Sequence, residues 1–212
     1  MKRAWFFDLD GTLADTDRDI REAWRLTLGD LGIDCPNFER DFVAGPPIEK
    51  MAETLFPGLY TDELGVRLRA RFGERYDTGG FPFTVEYPGV LDRVRELADA
   101  GALVFIATNK RWAGTRLLAA KFGWDRVFDG VYAADMYRDD PAVGRLDKAA
   151  LLAKIMRERG ISAAEAVMVG DTASDFDAAA ANGIDSVGVT WGYGRPEELA
   201  RAGRLVSDPA EI

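Results

Sequence analysis

The chain has 212 residues, 47% of them hydrophobic and 30% charged, with a net charge of −9; that suits a globular fold holding one domain or one with an insert. No stretch is densely basic, so neither nucleic acid nor an anionic membrane surface is an expected partner. Histidine is absent and Cys35 is the single cysteine, which excludes Ser-His-Asp triads, Cys-His pairs, histidine-bound zinc and an intramolecular disulfide.

A reducing cytoplasm is the expected setting, with Cys35 read as a small buried apolar residue. No secretory signal and no apolar run long enough to span a bilayer is apparent in the sequence.

The first element is a strand, Trp5-Phe6-Phe7, whose unbroken apolar character suits burial on both faces of a sheet. It runs into Asp8-Leu9-Asp10-Gly11-Thr12, where strand alternation sends Asp8 and Asp10 to one side and Gly11 permits a sharp turn. The next segment is helical. Ile20, Trp24, Leu28 and Leu31 recur at helical spacing, then Ile48, Met51, Ala52, Leu55 and Phe56, then Leu64, Leu68 and Phe72. Gly45-Pro46-Pro47, Pro57-Gly58 and Gly79-Gly80-Phe81-Pro82 punctuate this block.

From Pro88-Gly89 helices and short apolar strands alternate. Strands are expected at 102–107, 130–132, 166–169 and 186–189, with helices near 90–100, 112–123, 147–159, 173–182 and 196–202. Such alternation implies a parallel sheet with right-handed crossovers, which the first strand joins. The fold class is therefore α/β, a Rossmann-like doubly wound parallel sheet core with an inserted all-helical cap domain. The core is assigned to 1–16 and 84–212, and the insert to 17–83.

Three strand ends carry polar residues: Asp8 and Asp10 after the first, Thr108-Asn109-Lys110 after the second, and Gly170-Asp171-Thr172-Ala173-Ser174-Asp175 after a later one. In one parallel sheet these ends converge on one edge, the edge at which open α/β sheets bind ligands. Asp171 and Asp175 are four apart, which on a helix places them one turn from each other. With Asp8 and Asp10 they would form four clustered carboxylates, costly to hold together without a cation. An all-oxygen donor set without histidine or thiolate suits Mg²⁺.

DxDGT after a first strand, Thr-Asn after a second, a lysine, then GDxxxD resembles the haloacid dehalogenase superfamily, in its phosphoglycolate-phosphatase-like branch with a helical cap. The resemblance covers essentially the whole chain, including the segment from Asn182 to Gly194. It implies Asp8 as nucleophile and Asp10 as general acid/base. It further implies phosphate binding by Thr108, Asn109 and Lys148, and Mg²⁺ binding by Asp8, the Asp10 carbonyl, Asp171 and Asp175. Many relatives have Lys-Pro at the third motif, where this chain has Asp147-Lys148-Ala149; Lys154 and Arg145 are the alternatives to Lys148.

The implied function is hydrolysis of a small phosphomonoester, such as phosphoglycolate, through an aspartyl-phosphate. The alternatives are a sugar-phosphate mutase of the same superfamily and a non-catalytic phosphate- or partner-binding protein on the same fold. The resemblance also implies hinges at Asp15-Thr16 and 79–82, and a substrate-facing loop at Gly45-Pro46-Pro47.

Overall fold

The computed structural model describes residues 2–46 and 48–212. The expected loop residue Pro47 lies outside the described residues. The chain divides into two compact units, one built from the residues up to Asp15 together with Glu86–Ile212, the other from Thr16–Val85.

The larger unit holds a six-stranded, all-parallel sheet. Its strands are β1 (Ala4–Phe7), β2 (Leu103–Thr108), β3 (Gly130–Ala133), β4 (Ala166–Gly170), β5 (Asp185–Val189) and β6 (Arg204–Val206). Their order across the sheet is β3-β2-β1-β4-β5-β6. The chain winds outward on one side of β1 and then on the other, so the reversal falls between β1 and β4, where doubly wound folds open a crevice. The apolar run of β1 is explained by this position. Phe6, Phe105 and Met168 pack on one face against Leu151, Leu152 and Ile155, with Phe6 and Phe105 stacked at 5.3 Å between ring centroids. Trp5, Phe7, Ile106, Val167 and Val169 are buried as well; each such side chain contributes about 1.5–3 kcal/mol by leaving water.

β6 escapes the apolar-run criterion. It is an edge strand reading Arg-Leu-Val, with Leu205 half exposed, so it lacks the apolar run that marks its neighbours. The helix expected over 196–202 is a single turn, Pro196–Leu199.

The smaller unit is helical: α1 (Asp17–Leu31), α2 (Phe38–Asp41), α3 (Ile48–Leu55) and α4 (Asp62–Thr78). α1 and α4 pack through Trp24 and Phe72, whose centroids are 5.7 Å apart. On α4 the buried stripe runs through Gly65, Leu68, Phe72 and Tyr76, so Leu64 is only half buried. The segment expected to act as a hinge at 79–82 belongs to this unit, as do Thr16, Thr84 and Val85. The reason is the buried Asp19 carboxylate on α1, which accepts the Thr84 N–H and hydroxyl, both at 2.6 Å, and the Phe83 N–H at 3.2 Å. Cys35 is partly exposed rather than buried, with its thiol directed at the Leu55 carbonyl. No helix among the described residues is long and apolar enough to cross a membrane.

Candidate active site

The three polar strand ends are neighbours because β1 hydrogen-bonds to both β2 and β4, with Phe7 opposite Ile106 on one side and Val169 on the other. Asp8 extends the ladder by one step, donating its N–H to the Val169 carbonyl at 2.9 Å. The chain then turns through Gly11 at φ 74°, where a Cβ would lie 2.2 Å from Asp171 Oδ2. Both the backbone conformation and the close approach therefore require glycine. Gly170 is confined in the same way, since a Cβ there would lie 2.2 Å from Asp175 Cγ.

Asp8, Asp171 and Asp175, all buried, each bring a carboxylate oxygen within 4.8 Å of the others. Lys148 is buried among them, with Nζ 2.9 Å from Asp8 Oδ2 and a second, shorter contact to Asp175 Oδ1. Burial alone would push the Lys148 ammonium down, but Asp175 and Asp8 outweigh it and hold it above the usual lysine range. Burial, with the charges of Asp175 and Asp8, holds the Asp171 carboxyl well above the usual carboxylate range. Asp175 is raised too, by burial, although Lys148 pulls it the other way. Asp8 Oδ1 is buried and has no hydrogen-bond partner among the described residues, a costly condition unless a bound cation or reacting group meets it.

Two expectations are corrected here. Asp171 and Asp175 do not share a helix turn. Thr172 is extended (φ −121°, ψ 163°) and caps the helix Ala173–Ala181, which leaves Asp171 before the helix. Asp175 is the third helical residue, and its Oδ2 accepts the Thr172 N–H (3.0 Å) and hydroxyl (2.9 Å), a capping box that satisfies an otherwise unpaired helix-start donor. The carboxylate cluster also has three members, not four. Asp10 stands apart, its Oδ1 2.8 Å from Lys110 Nζ.

Thr108 ends β2 and is buried. Its Oγ1 accepts the Lys110 N–H at 3.1 Å, which leaves its hydroxyl proton to be donated elsewhere. The Asn109 side chain donates to Ser174 Oγ at 2.7 Å, tying the second strand end to the third. Of the candidate cations, only Lys148 reaches the cluster. It is the first residue of the helix Lys148–Arg159, set by Asp147, whose carboxylate caps the helix through the Ala150 N–H. Lys154 instead pairs with Glu158, four residues along the same helix, and Arg145 is exposed.

Further contacts reach Asp171 from Thr12, the last residue of the DxDGT stretch, and from Tyr193, in the segment from Asn182 to Gly194. Thr12 donates its hydroxyl to Asp171 Oδ1 at 3.3 Å, and the Tyr193 N–H donates to Asp171 Oδ2 at 2.7 Å. The Tyr193 hydroxyl donates to Asp15 Oδ1 at 2.8 Å. The glycines around Tyr193 were the available signal, since main-chain donors need close backbone approach.

The fold and the site define a doubly wound α/β protein with three buried carboxylates and a lysine clustered at the strand ends of its sheet. Residues 5–189 match the family model described as haloacid dehalogenase-like hydrolase, and the chain belongs to that family. It is 31% identical over 201 residues to the tyrosine-protein kinase PtkA of Mycobacterium tuberculosis, covering 94% of this chain and 66% of that protein's length. It is 32% identical over 218 residues to a phosphoglycolate phosphatase of Pseudomonas putida, covering 98% and 77%. A haloacid dehalogenase-like family hydrolase of Streptococcus pneumoniae has the same fold, with a TM-score of 0.83 at 24% identity over 99% of this chain and 96% of that one.

Proposed function

We propose that the chain is a Mg²⁺-dependent phosphatase that hydrolyses a small phosphorylated metabolite, of the phosphoglycolate kind, through an aspartyl-phosphate on Asp8. The observation that carries this reading is the buried, unpartnered Asp8 Oδ1 beside Asp171 and the Lys148 ammonium. Membership of a hydrolase family and similarity to a relative named as a phosphoglycolate phosphatase support it.

Asp8 attacks the phosphorus of the monoester as a nucleophile. The bond from phosphorus to the leaving oxygen breaks, and Asp10 gives that oxygen a proton. Asp10 then takes a proton from water, the water oxygen attacks phosphorus, and the bond to Asp8 breaks to release phosphate. The Thr108 hydroxyl, the Asn109 N–H and the Lys148 ammonium offset charge on the transferring oxygens.

The residues fit a divalent cation. Asp8, Asp10, Asp171 and Asp175 against Lys110 and Lys148 leave two negative charges, in an all-oxygen donor set. Asp8, Asp171 and the Asp10 carbonyl would hold Mg²⁺, with Asp175 behind them through water or directly. Bound there, it neutralises the cluster and the phosphoryl oxygens.

The helical unit Thr16–Val85 is assigned substrate discrimination, because the strand-end residues recognise only what phosphomonoesters share. Action in the cytoplasm, on small molecules rather than nucleic acid or membranes, is part of the same reading and follows from the acidic charge and the single cysteine.

Phosphate release from p-nitrophenyl phosphate and a panel of metabolite monoesters, with Mg²⁺ and with chelator, tests the proposal. Turnover with Mg²⁺ that stops on chelation supports it. Phosphoryl exchange between sugar-phosphate positions without net release indicates a mutase instead, and binding without turnover a non-catalytic protein.

A further inference from the structure

The Asp171 carboxylate is oriented from outside the cluster, by groups that take no part in the phosphoryl chemistry. Its Oδ2 accepts the Tyr193 N–H at 2.7 Å and its Oδ1 the Thr12 hydroxyl at 3.3 Å. A main-chain N–H points where its backbone is held, and here side chains hold the backbone. The Tyr193 phenol donates to Asp15 Oδ1 at 2.8 Å and shares a hydrogen bond with the Tyr87 phenol. The Trp191 indole N–H donates to the Thr12 carbonyl at 3.2 Å, and its ring lies 6.4 Å from that of Tyr87. The segment is also pressed against Asp171. A Cβ at Gly192 would lie 2.5 Å from Asp171 Oδ2, and one at Gly194 1.6 Å from the Asp171 carbonyl oxygen. All these residues belong to the larger unit. A phenol donating to a carboxylate makes a charge-assisted bond, about twice as strong as a neutral one, so the Asp15 contact ties the segment firmly.

We propose that Tyr193 is a positioning residue for Asp171: its phenol fixes the segment 191–194, and its N–H sets the direction of the Asp171 carboxylate and so the affinity of the cluster for a divalent cation. The inference rests on the Mg²⁺-dependent reading above, in which Asp171 is a ligand. A carboxylate held in one direction before the ion arrives loses little freedom when the ion binds. One left to rotate must be ordered at that moment, and affinity falls. Tyr193 has no part in the phosphoryl steps. Loss of its phenol therefore raises the metal concentration needed and leaves turnover at saturating metal nearly unchanged.

Mn²⁺, which shares the preference of Mg²⁺ for oxygen ligands, is the probe, with free ion counted by its EPR signal on the full chain without substrate. Tyr193→Phe keeps the ring and the N–H. It is expected to weaken Mn²⁺ binding by about 10-fold, the lower end of the range for lost partners of metal ligands. Half-maximal turnover should need Mg²⁺ raised by the same factor, with kcat at saturation within about 3-fold of wild type. Asp15→Ala removes the same contact from the other side and should weaken binding alike, and the double variant should go no further. Asp15→Asn keeps an acceptor oxygen for the phenol and should retain most of the affinity. Tyr132→Phe deletes the tyrosine hydroxyl to which Arg159 donates, controls for general loss of stability, and should leave Mn²⁺ affinity unchanged. Thermal melting in chelator checks that each variant folds, and Asp15→Ala carries the test should Tyr193→Phe fail to fold. Wild-type affinity in Tyr193→Phe, additive losses in the double variant, or an equal loss in Tyr132→Phe overturns the inference while the phosphatase reading stands. A wild-type chain that binds no Mn²⁺ overturns the metal reading itself, and the inference falls with it.

Discussion

The Lys148 ammonium lies 2.9 Å from Asp8 Oδ2 and also contacts Asp175 Oδ1, so one buried cation joins the end of β1 to the first turn of the helix Ala173–Ala181. Removing a partner from such a group leaves buried charge without compensation, a loss of about 3–5 kcal/mol. Lys148→Met is therefore expected to lower stability by about that amount in chelator and to depress turnover of every substrate by a common factor. Lys154→Met, which removes a pair with Glu158 and a contact with the Tyr137 ring, both away from the cluster, should leave turnover unchanged and cost far less stability. Denaturant unfolding and a substrate panel on the two variants distinguish the sites, and parity between them would sink the assignment of Lys148.

Asp8→Asn keeps the shape of the side chain and removes the charge proposed to attack phosphorus. Turnover should fall by more than about 10³-fold, with no phosphorylated protein trapped by rapid acid quench. Near-normal turnover in this variant would move the nucleophile elsewhere.

Asp171 and Asp175 are held above the usual carboxylate range by burial, in both cases against favourable partners. Above the ordinary aspartate value of about 3.9, the folded metal-free chain therefore binds more protons than the unfolded one, and this contribution to stability falls as pH rises. A cation needs these carboxylates ionised, so its binding is opposed by protons. The gain in Tm on adding Mg²⁺ should therefore be smallest under acid conditions and grow as pH rises. Thermal scans with and without Mg²⁺ at a series of pH values check it, and a gain independent of pH would contradict the sign.

Gly11→Ala places a Cβ 2.2 Å from Asp171 Oδ2 at a residue with φ 74°. The strain should cost about 1–3 kcal/mol. It should also displace Asp171, so that more Mg²⁺ is needed for half-maximal turnover. Urea unfolding and a Mg²⁺ titration report the two effects separately, and a variant with wild-type Mg²⁺ response would show that Asp171 is not a ligand.

In the helical unit, substitution of Pro46 or Lys50 should change relative kcat/KM across phosphomonoesters and leave the Mg²⁺ response alone. One uniform factor for all substrates would assign this segment to scaffold instead.

Much of the architecture was legible from periodicity. The apolar runs of β1, β2 and β4 each end abruptly in polar residues, and the switch from helical spacing before residue 83 to alternating strands and helices separates the two units. The motif residues Asp8, Thr108 and Asp171 stand where those runs stop and Lys148 where a helix begins, which is why the candidate site is legible in the sequence. Side-chain partnerships across sequence distance were not legible, because they depend on which strands are neighbours. Hydrogen bonding of β1 to both β2 and β4 brings Lys110 to Asp10 and Asn109 to Ser174. The same holds for the Tyr193 N–H on Asp171, a main-chain contact made by backbone approach rather than by residue type. Asp175 shows the division most plainly. Its spacing from Asp171 marked it as part of the site, while the extended Thr172 decided that the two carboxylates meet from outside and inside a helix start, with Lys148 between Asp175 and Asp8. Local order follows from the pattern of neighbours along the chain; the charge balance of the site follows from register across the sheet, which tertiary packing alone sets.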